Sequence, residues 1–203
     1  MPPVASTLAS ADRRIGILKS AAAAFRRRGY HGASVDEIAS ALEMTKGNLY
    51  YYFRNKEEIL FACHEYSLDV LLALLKDVQA SPSTPDVKLR ALVLAIVHLI
   101  LDELRGTALT LDLEALSPPL LRKVVARRDA FDLGLRAIIQ DGVDQGVFRP
   151  GDPKMVAFAV MGAVNWIAKW FDPVGAMSSD EIGRAFADYL VGGLMRGRLP
   201  DTL

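Results

Sequence analysis

Apolar residues recur along this chain at intervals of three and four, the spacing that places them on one face of an α-helix. Ile15, Leu18, Ala22 and Phe25 form the first such stripe. No stretch alternates apolar and polar residues with a period of two, which is the pattern of a half-buried strand. The periodicity therefore predicts an all-α fold of about nine helices and no sheet.

Turn and capping residues divide the chain into helices. Ser34 and Glu37 form an S-x-x-E pattern typical of a capping box, and Thr45 is suited to cap the next helix. We predict helices that end near Gly29, begin at Ser34, run from Thr45 to Phe53 and run from Lys56 to Ala80. Further helices are predicted over 86–104, 108–113, 118–145, 153–171 and from Ser179 to about Gly192, and residues 1–10 are predicted to be a disordered arm.

Composition and charge narrow the class of protein. A chain of 203 residues with one cysteine, Cys63, has no intrachain disulfide, and its longest apolar run, residues 155–164, is too short to span a membrane. The N-terminus is not a signal peptide. The net charge is zero, yet residues 1–60 hold nine Lys/Arg and six Asp/Glu. We predict a cytoplasmic, non-membrane protein whose mildly basic head is compatible with a local DNA footprint.

The segment TKGNLYYYFRNK, residues 45–56, carries three consecutive tyrosines on a short predicted helix. Leu49 and Phe53 are four residues apart, so they share one face and should pack inward. The opposite face then presents small, polar and aromatic side chains beside lysines, which suits a helix that enters the DNA major groove. The N–H groups at the start of the Ser34 helix are suited to bind a phosphate. The predicted DNA-binding residues are Ser34, Thr45, Lys46, Gly47, Asn48, Tyr50, Tyr51, Tyr52 and Lys56.

A family resemblance covers the same region. Residues 21–60 read AAAAFRRRGYHGASVDEIASALEMTKGNLYYYFRNKEEIL. They resemble the helix-turn-helix of the TetR family of transcriptional regulators, with Phe25, Gly29, Gly47, Tyr50 and Phe53 at matching places. Tyr52 departs from the histidine that many members have. The resemblance implies a DNA-binding domain over 11–55 and a ligand-binding and dimerisation domain over 56–203.

The helix over 153–171 is apolar on all sides between Met155 and Val164, which predicts burial against both its own core and a partner. Together with one stripe of the last helix it predicts a homodimer. Its two recognition helices would lie about 34–36 Å apart on a palindromic operator. The predicted dimerisation residues are Phe158, Ala159, Gly162, Ala163, Ile182, Phe186, Tyr189 and Gly193.

The segment NWIAKWFDPVGAMSSDEI, residues 165–182, resembles the C-terminal domain of a TetR subgroup that represses fatty-acid and sterol catabolism. That resemblance implies a small hydrophobic effector such as an acyl-CoA thioester, which needs an apolar tunnel and cations for its phosphates. The two tryptophans either line the pocket mouth or pack in the core. The predicted ligand-binding residues are His98, Leu101, Leu109, Leu113, Arg122, Arg127, Phe131, Trp166, Lys169 and Trp170.

Other functions are disfavoured. The chain lacks the G-x-S-x-G, H-E-x-x-H, P-loop and dinucleotide-binding motifs. Cys63 and His64 are adjacent, so they point to different faces of a helix and make a poor metal pair. We predict a ligand-responsive repressor that is not an enzyme and needs no metal or cofactor. Two alternatives stay open: a repressor of an efflux or other operon with a different hydrophobic ligand, and a DNA-binding regulator with no small-molecule ligand.

Overall fold

The computed structural model describes the backbone of residues 4–103, 112–172 and 174–197, and the side chains of 12–101, 112–172 and 174–197. Within these ranges the fold is helical, and the predicted all-α class is confirmed. One isolated antiparallel bridge joins Phe148 to Met195. The helices are α1 Val4–Gly32, α2 Val35–Ser40, α3 Lys46–Tyr52, α4 Lys56–Ala80, α5 Pro85–His98, α6 Pro118–Asp144, α7 Pro153–Trp170 and α8 Ser179–Gly192.

The chain divides into two compact units. The first comprises Met1–Ser67 with Thr107–Val124, and the second comprises Leu68–Gly106 with Val125–Leu203. Both α4 and α6 contribute residues to each unit. The units therefore divide the chain differently from the predicted domains at residues 11–55 and 56–203, and the functional division of the chain stays a prediction.

The first unit is built on a bend in α1. Gly29 adopts φ 69° and ψ 166°, a conformation that side chains with a Cβ rarely adopt, so the helix breaks there as predicted. The backbone N–H of Tyr30, just after the bend, donates to Asp112 Oδ2 at 3.3 Å. The backbone N–H of Ser117 donates to Glu57 Oε1 at 2.6 Å. Residues 112–117 are thus tied to α1 and α4 by two carboxylates.

The second unit is centred on α5, which packs mainly against α8 and also against α7. Gly183 of α8 makes the close approach possible, because a Cβ built there would lie 3.1 Å from Leu94 Cδ1. The contact between α6 and the α6–α7 connection is closer still, since a Cβ built at Gly142 would lie 2.0 Å from Phe148 Cδ2. A bulkier residue at Gly183 would require the Leu94 side chain to shift, and one at Gly142 would displace the Phe148 ring.

Two local predictions are wrong. Residues 4–10 belong to α1 and are not a disordered arm; residues 1–3 lie outside the described residues. The helix predicted over 86–104 is α-helical only to His98 and continues as a π-helix over Leu99–Glu103. The short helix predicted over 108–113 lies almost wholly outside the described residues, and a 3-10 turn follows at Leu113–Ala115.

The other predicted helices are confirmed to within a residue or two at their ends. Ser178 caps α8 in a full capping box, because its side chain accepts from the Glu181 backbone and the Glu181 carboxylate accepts in return. Among the described helices, none is long and apolar enough to cross a membrane.

Candidate nucleic-acid interface

Side-chain caps set the start of both short helices of the head. Ser34 Oγ accepts from the Glu37 backbone N–H at 3.0 Å, and Thr45 Oγ1 accepts from the Asn48 N–H at 3.2 Å. These bonds satisfy donors that the first helical turn leaves free, which matters because α2 and α3 have six and seven residues. Both predicted caps are confirmed.

The predicted capping box at Ser34 is only half formed. The Glu37 carboxylate accepts from Arg27 at 2.9 Å and lies 3.5 Å from Arg28 Nε. The hydrogen bond from Arg27, with the charges of both arginines, lowers the pKa of Glu37. Two nearby guanidinium groups outcompete a single backbone N–H for this carboxylate, so Glu37 links α1 to α2 and does not cap α2 reciprocally.

Helix α3 turns its apolar side inward and its tyrosines outward. Leu49 and Phe53 are fully buried, as predicted, whereas Tyr51 is 84% exposed and Tyr50 is 41% exposed. Tyr52 is half-buried and meets the Tyr51 ring edge-on, with 5.3 Å between the ring centroids. Within the part of the chain that the structure describes, most of Tyr51 and part of Tyr50 are left uncovered, so this face is available to an external partner.

Small and polar residues surround the exposed tyrosines. Ser34, Thr45, Lys46, Gly47 and Asn48 are all exposed. A Cβ built at Gly47 would meet only Thr45 Oγ1, at 3.9 Å, so the backbone is open to close approach there. The structure therefore brings most of the predicted DNA-binding residues to one surface of the head; their contacts with DNA stay a prediction.

Both lysines predicted to bind DNA, Lys46 and Lys56, have intramolecular partners in the first unit. Lys46 Nζ lies 2.8 Å from Asp36 Oδ2, and this interaction raises the pKa of Lys46. Lys56 Nζ donates to the His31 carbonyl at 3.3 Å and lies 4.5 Å from the Tyr30 ring centroid. Each lysine therefore already has a partner within the first unit.

Two residues of this surface were not predicted. Arg14 of α1 donates to the Tyr52 carbonyl at 3.1 Å and places its guanidinium 4.2 Å from the Phe53 ring centroid, so it fixes the end of α3. Asp36 accepts from Lys46 across the turn between α2 and α3. Neither partnership follows from helical spacing, because each joins two different helices.

The predicted ligand-binding residues are divided between the two units. Leu113 and Arg122 belong to the first unit, and Leu109 lies outside the described residues. In the second unit, Leu101 and Phe131 are buried and Lys169 is exposed. Arg127 pairs with Asp69, and His98 Nε2 lies 3.6 Å from Asp180 Oδ1. Their role in binding a ligand stays a prediction.

The predicted dimerisation residues are mostly exposed on α7 and α8. Phe158, Ala159 and Gly162 lie on the open side of α7, and an added Cβ at Gly162 would have no atom within 4 Å. On α8, Tyr189 is 82% exposed and Gly193 is exposed. Ala163 and Phe186 are half-buried. An apolar surface is thus open on the second unit.

Ile182 differs from the other predicted dimerisation residues because it is buried. Only 3% of it is exposed, because it lies on the side of α8 that packs against α5, beside Gly183 and its contact with Leu94. A residue already covered by its own chain has no surface left for a partner. The prediction that Ile182 faces the dimer interface is therefore wrong.

Both tryptophans lie outside the core. Trp166 is 64% exposed, on the same side of α7 as Gly162, and Trp170 stacks on Phe186 of α8 with ring centroids 6.3 Å apart. The core alternative is thus wrong for both residues. Their position continues the exposed apolar surface of α7.

Two family models match the chain. Residues 82–194 match the model described as "Tetracyclin repressor-like, C-terminal domain", and residues 17–63 match "Bacterial regulatory proteins, tetR family". Among curated relatives, the HTH-type transcriptional repressor KstR2 of Mycobacterium tuberculosis is 25% identical over 189 residues. The match covers 91% of this chain and 94% of that protein.

Solved structures agree in fold and sequence. The TetR family transcriptional regulator PfmR from Thermus thermophilus is 36% identical, with a TM-score of 0.78 over 89% of this chain and 99% of that one. The structure of AibR in complex with isovaleryl coenzyme A and operator DNA is 33% identical, with a TM-score of 0.75 over 90% and 98% of the two chains. The motif, the helix-turn-helix geometry and these matches establish that the chain belongs to the TetR family of bacterial transcriptional regulators.

Proposed function

We propose that this protein is a dimeric, DNA-binding transcriptional repressor that a small apolar effector, an acyl-CoA thioester, releases from a palindromic operator. The observation that carries the DNA-binding part is the exposed face of α3, where Tyr51 has most of its surface in solvent beside Lys46, Gly47 and Asn48. Such a face supplies apolar contacts for thymine methyl groups and donors for base edges and phosphates.

The open surface of α7 and α8 supports the dimer. Phe158, Trp166 and Tyr189 are large and exposed, and an uncovered apolar patch of this kind is characteristic of an interface. Gly162 allows a second backbone to come close. A two-fold dimer presents two copies of α3, which is why we expect a palindromic operator.

The effector part rests on the AibR complex, which holds isovaleryl coenzyme A, and on the resemblance of residues 165–182 to the catabolic repressor subgroup. The second unit has both kinds of group that an acyl-CoA requires. Leu101 and Phe131 are buried apolar side chains, and Arg127, which pairs with Asp69, and Arg128 are cations on α6. Burial lowers the pKa of the Arg128 guanidinium.

The proposed mechanism is a shift between two conformations of the dimer. One conformation holds the two heads at the operator spacing, and the effector favours the other by its greater affinity for it. Without that difference in affinity, the effector would bind and change nothing.

The test is a mobility shift on the DNA upstream of the protein's own gene. It is repeated with isovaleryl-CoA, a longer acyl-CoA, the matching free acids and coenzyme A alone. Release by a thioester, but not by its acid or by coenzyme A, is the expected result. Specific binding that none of these compounds alters would overturn the effector part and leave the DNA-binding part intact. Absence of specific binding to that DNA, and to duplexes selected from a random pool, would overturn both.

A further inference from the structure

A carboxylate lies beside the surface that is proposed to meet DNA. Asp36 is exposed in the first turn of α2, and its Oδ2 lies 2.8 Å from Nζ of Lys46, the first residue of α3. A negative charge at this place opposes the approach of phosphates. Its presence therefore calls for a compensating role.

Structural roles account poorly for Asp36. The cap of α2 is Ser34, so Asp36 does not close the helix end. The pair with Lys46 is solvent-exposed, and such pairs contribute little to stability because water screens them. A favourable interaction with the dipole of α2 adds only a small further stabilisation at an exposed position. Neither gain depends on which DNA sequence is bound.

The pair changes what Lys46 can do. A free lysine is a mobile point charge with three donors, and it binds a phosphate of any sequence. Here one donor is directed at Asp36, the local charge is neutralised and the side chain is held at the N-terminal end of α3. That end of a recognition helix is where base edges are contacted. The remaining donors of Lys46 suit the O6 and N7 acceptors of guanine.

We propose that Asp36 is a specificity-determining positioning residue, which holds Lys46 for a base edge and withholds it from the phosphate backbone. This inference rests on the proposed DNA-binding function. It concerns the ratio between operator and non-operator affinity, and it is independent of the effector.

The test compares Asp36→Asn with wild type on two duplexes, one selected by the wild-type protein from a random pool and one of the same composition in shuffled order. Dissociation constants are measured across a series of salt concentrations. In Asp36→Asn, Lys46 loses its carboxylate partner and becomes able to bind a phosphate of the DNA backbone. Affinity for the shuffled duplex should rise, and the slope of log K against log salt should steepen by about 0.9. The ratio of operator to shuffled affinity should fall about tenfold, the effect of one lost base contact.

The matched control is Glu43→Gln. Glu43 is exposed in the turn between α2 and α3, so this variant removes the same charge from the same region while the Asp36–Lys46 pair remains. It should change both affinities by a common factor and leave their ratio unaltered. If Asp36→Asn behaves in the same way, Asp36 acts only as a charge and the inference is overturned.

The double variant Asp36→Asn/Lys46→Ala tests whether Asp36 acts through Lys46. Its affinity ratio should equal that of Lys46→Ala alone. A further loss in the double variant would mean that Asp36 reads a base directly, and it would overturn the positioning role. A wild-type protein that does not discriminate between the two duplexes would instead overturn the proposed function itself.

Discussion

Exposed aromatic residues occur on two surfaces of this protein, and the surfaces differ in what surrounds them. On α3, Tyr50 and Tyr51 stand among Thr45, Lys46 and Asn48. On α7, Trp166 stands one helical turn from Gly162 and Ala163, and Phe158 adjoins Ala159, with the cations of Arg136 and Lys154 at 5.5 and 5.8 Å from its ring centroid. Aromatic rings mixed with donors and cations suit a nucleic acid, whereas aromatic rings beside small apolar residues suit another protein chain. Exposure alone indicates a partner, and the neighbouring residues indicate which kind.

The largest expected effect comes from placing a charge on the apolar surface. Gly162→Arg should be tolerated by the folded subunit, because the space around Gly162 is open. It should raise the dimer dissociation constant at least about a hundredfold, since a buried charge at an interface without a partner costs several kcal/mol. Sedimentation equilibrium measures this constant. Gly16→Arg, at a glycine of α1 where an added Cβ would also meet no atom within 4 Å, is the control and should remain dimeric. A dimeric Gly162→Arg would exclude this face of α7 as the interface.

The next largest effect distinguishes the two surfaces by replacing one exposed tyrosine on each. Tyr51 and Tyr189 are each more than 80% exposed, so alanine at either position should leave the melting temperature almost unchanged. Tyr51→Ala should weaken operator binding roughly 10- to 100-fold, the range for one lost base contact. Tyr189→Ala should weaken the dimer, and operator binding should persist once protein concentration restores dimerisation. Fluorescence anisotropy with labelled operator measures the first effect, and sedimentation measures the second. Equal effects of both variants on both properties would remove the distinction between the surfaces.

A smaller effect is expected from removing the N-terminal cap of α3. Thr45→Ala removes the acceptor for the Asn48 N–H and should destabilise the first unit by about 1 kcal/mol, and Thr45→Ser should restore most of it. Both tryptophans of the chain lie in α7, so tryptophan fluorescence follows the second unit alone while circular dichroism follows all helices. The loss of stability caused by Thr45→Ala should appear when urea unfolding is followed by circular dichroism, and it should not appear when unfolding is followed by fluorescence. Identical shifts by both probes would show that the two units unfold as one.

The smallest effect is a pH dependence. Hydrogen bonds from the Ser117 backbone N–H and side chain lower the pKa of Glu57 below its ordinary value of 4.5. A carboxylate with a lowered pKa in the folded state stabilises the fold above its unfolded pKa and loses that contribution as pH falls through the folded value. Stability of the first unit should therefore decline more steeply below about pH 4.5 in wild type than in Glu57→Gln. Urea unfolding at several acidic pH values measures this difference. Parallel declines would mean that the bond to Ser117 contributes nothing measurable.

Local signals in the sequence were sufficient to locate the head. The caps at Ser34 and Thr45 and the inward pair Leu49 and Phe53 depend only on residues within one or two helical turns. The bend at Gly29 was predictable for the same reason, because glycine is the residue that adopts positive φ without strain. Such local patterns indicate where a residue lies on its own helix.

Contacts between helices were not predictable in this way. The stripe that contains Ile182 was visible, but nothing in its spacing indicates that α5, and not a second subunit, covers it. The Asp36–Lys46 pair and the competition of two arginines for Glu37 depend on how α1, α2 and α3 meet. The π-helix at Leu99–Glu103 was missed because an apolar run reads as a continuous α-helix whichever hydrogen-bond spacing it adopts.

The make-up of the first unit has a consequence for synthesis of the chain on the ribosome. Asp112 and Ser117, which bind Tyr30 and Glu57, follow those partners by 82 and 60 positions. At about 5–20 residues per second, Asp112 is translated roughly 4–16 s after Tyr30, and Ser117 roughly 3–12 s after Glu57. During that interval the recognition helix exists without its full support. A nascent chain stalled before residue 112 should therefore be cleaved by protease near Tyr30, and one stalled well beyond residue 124 should resist.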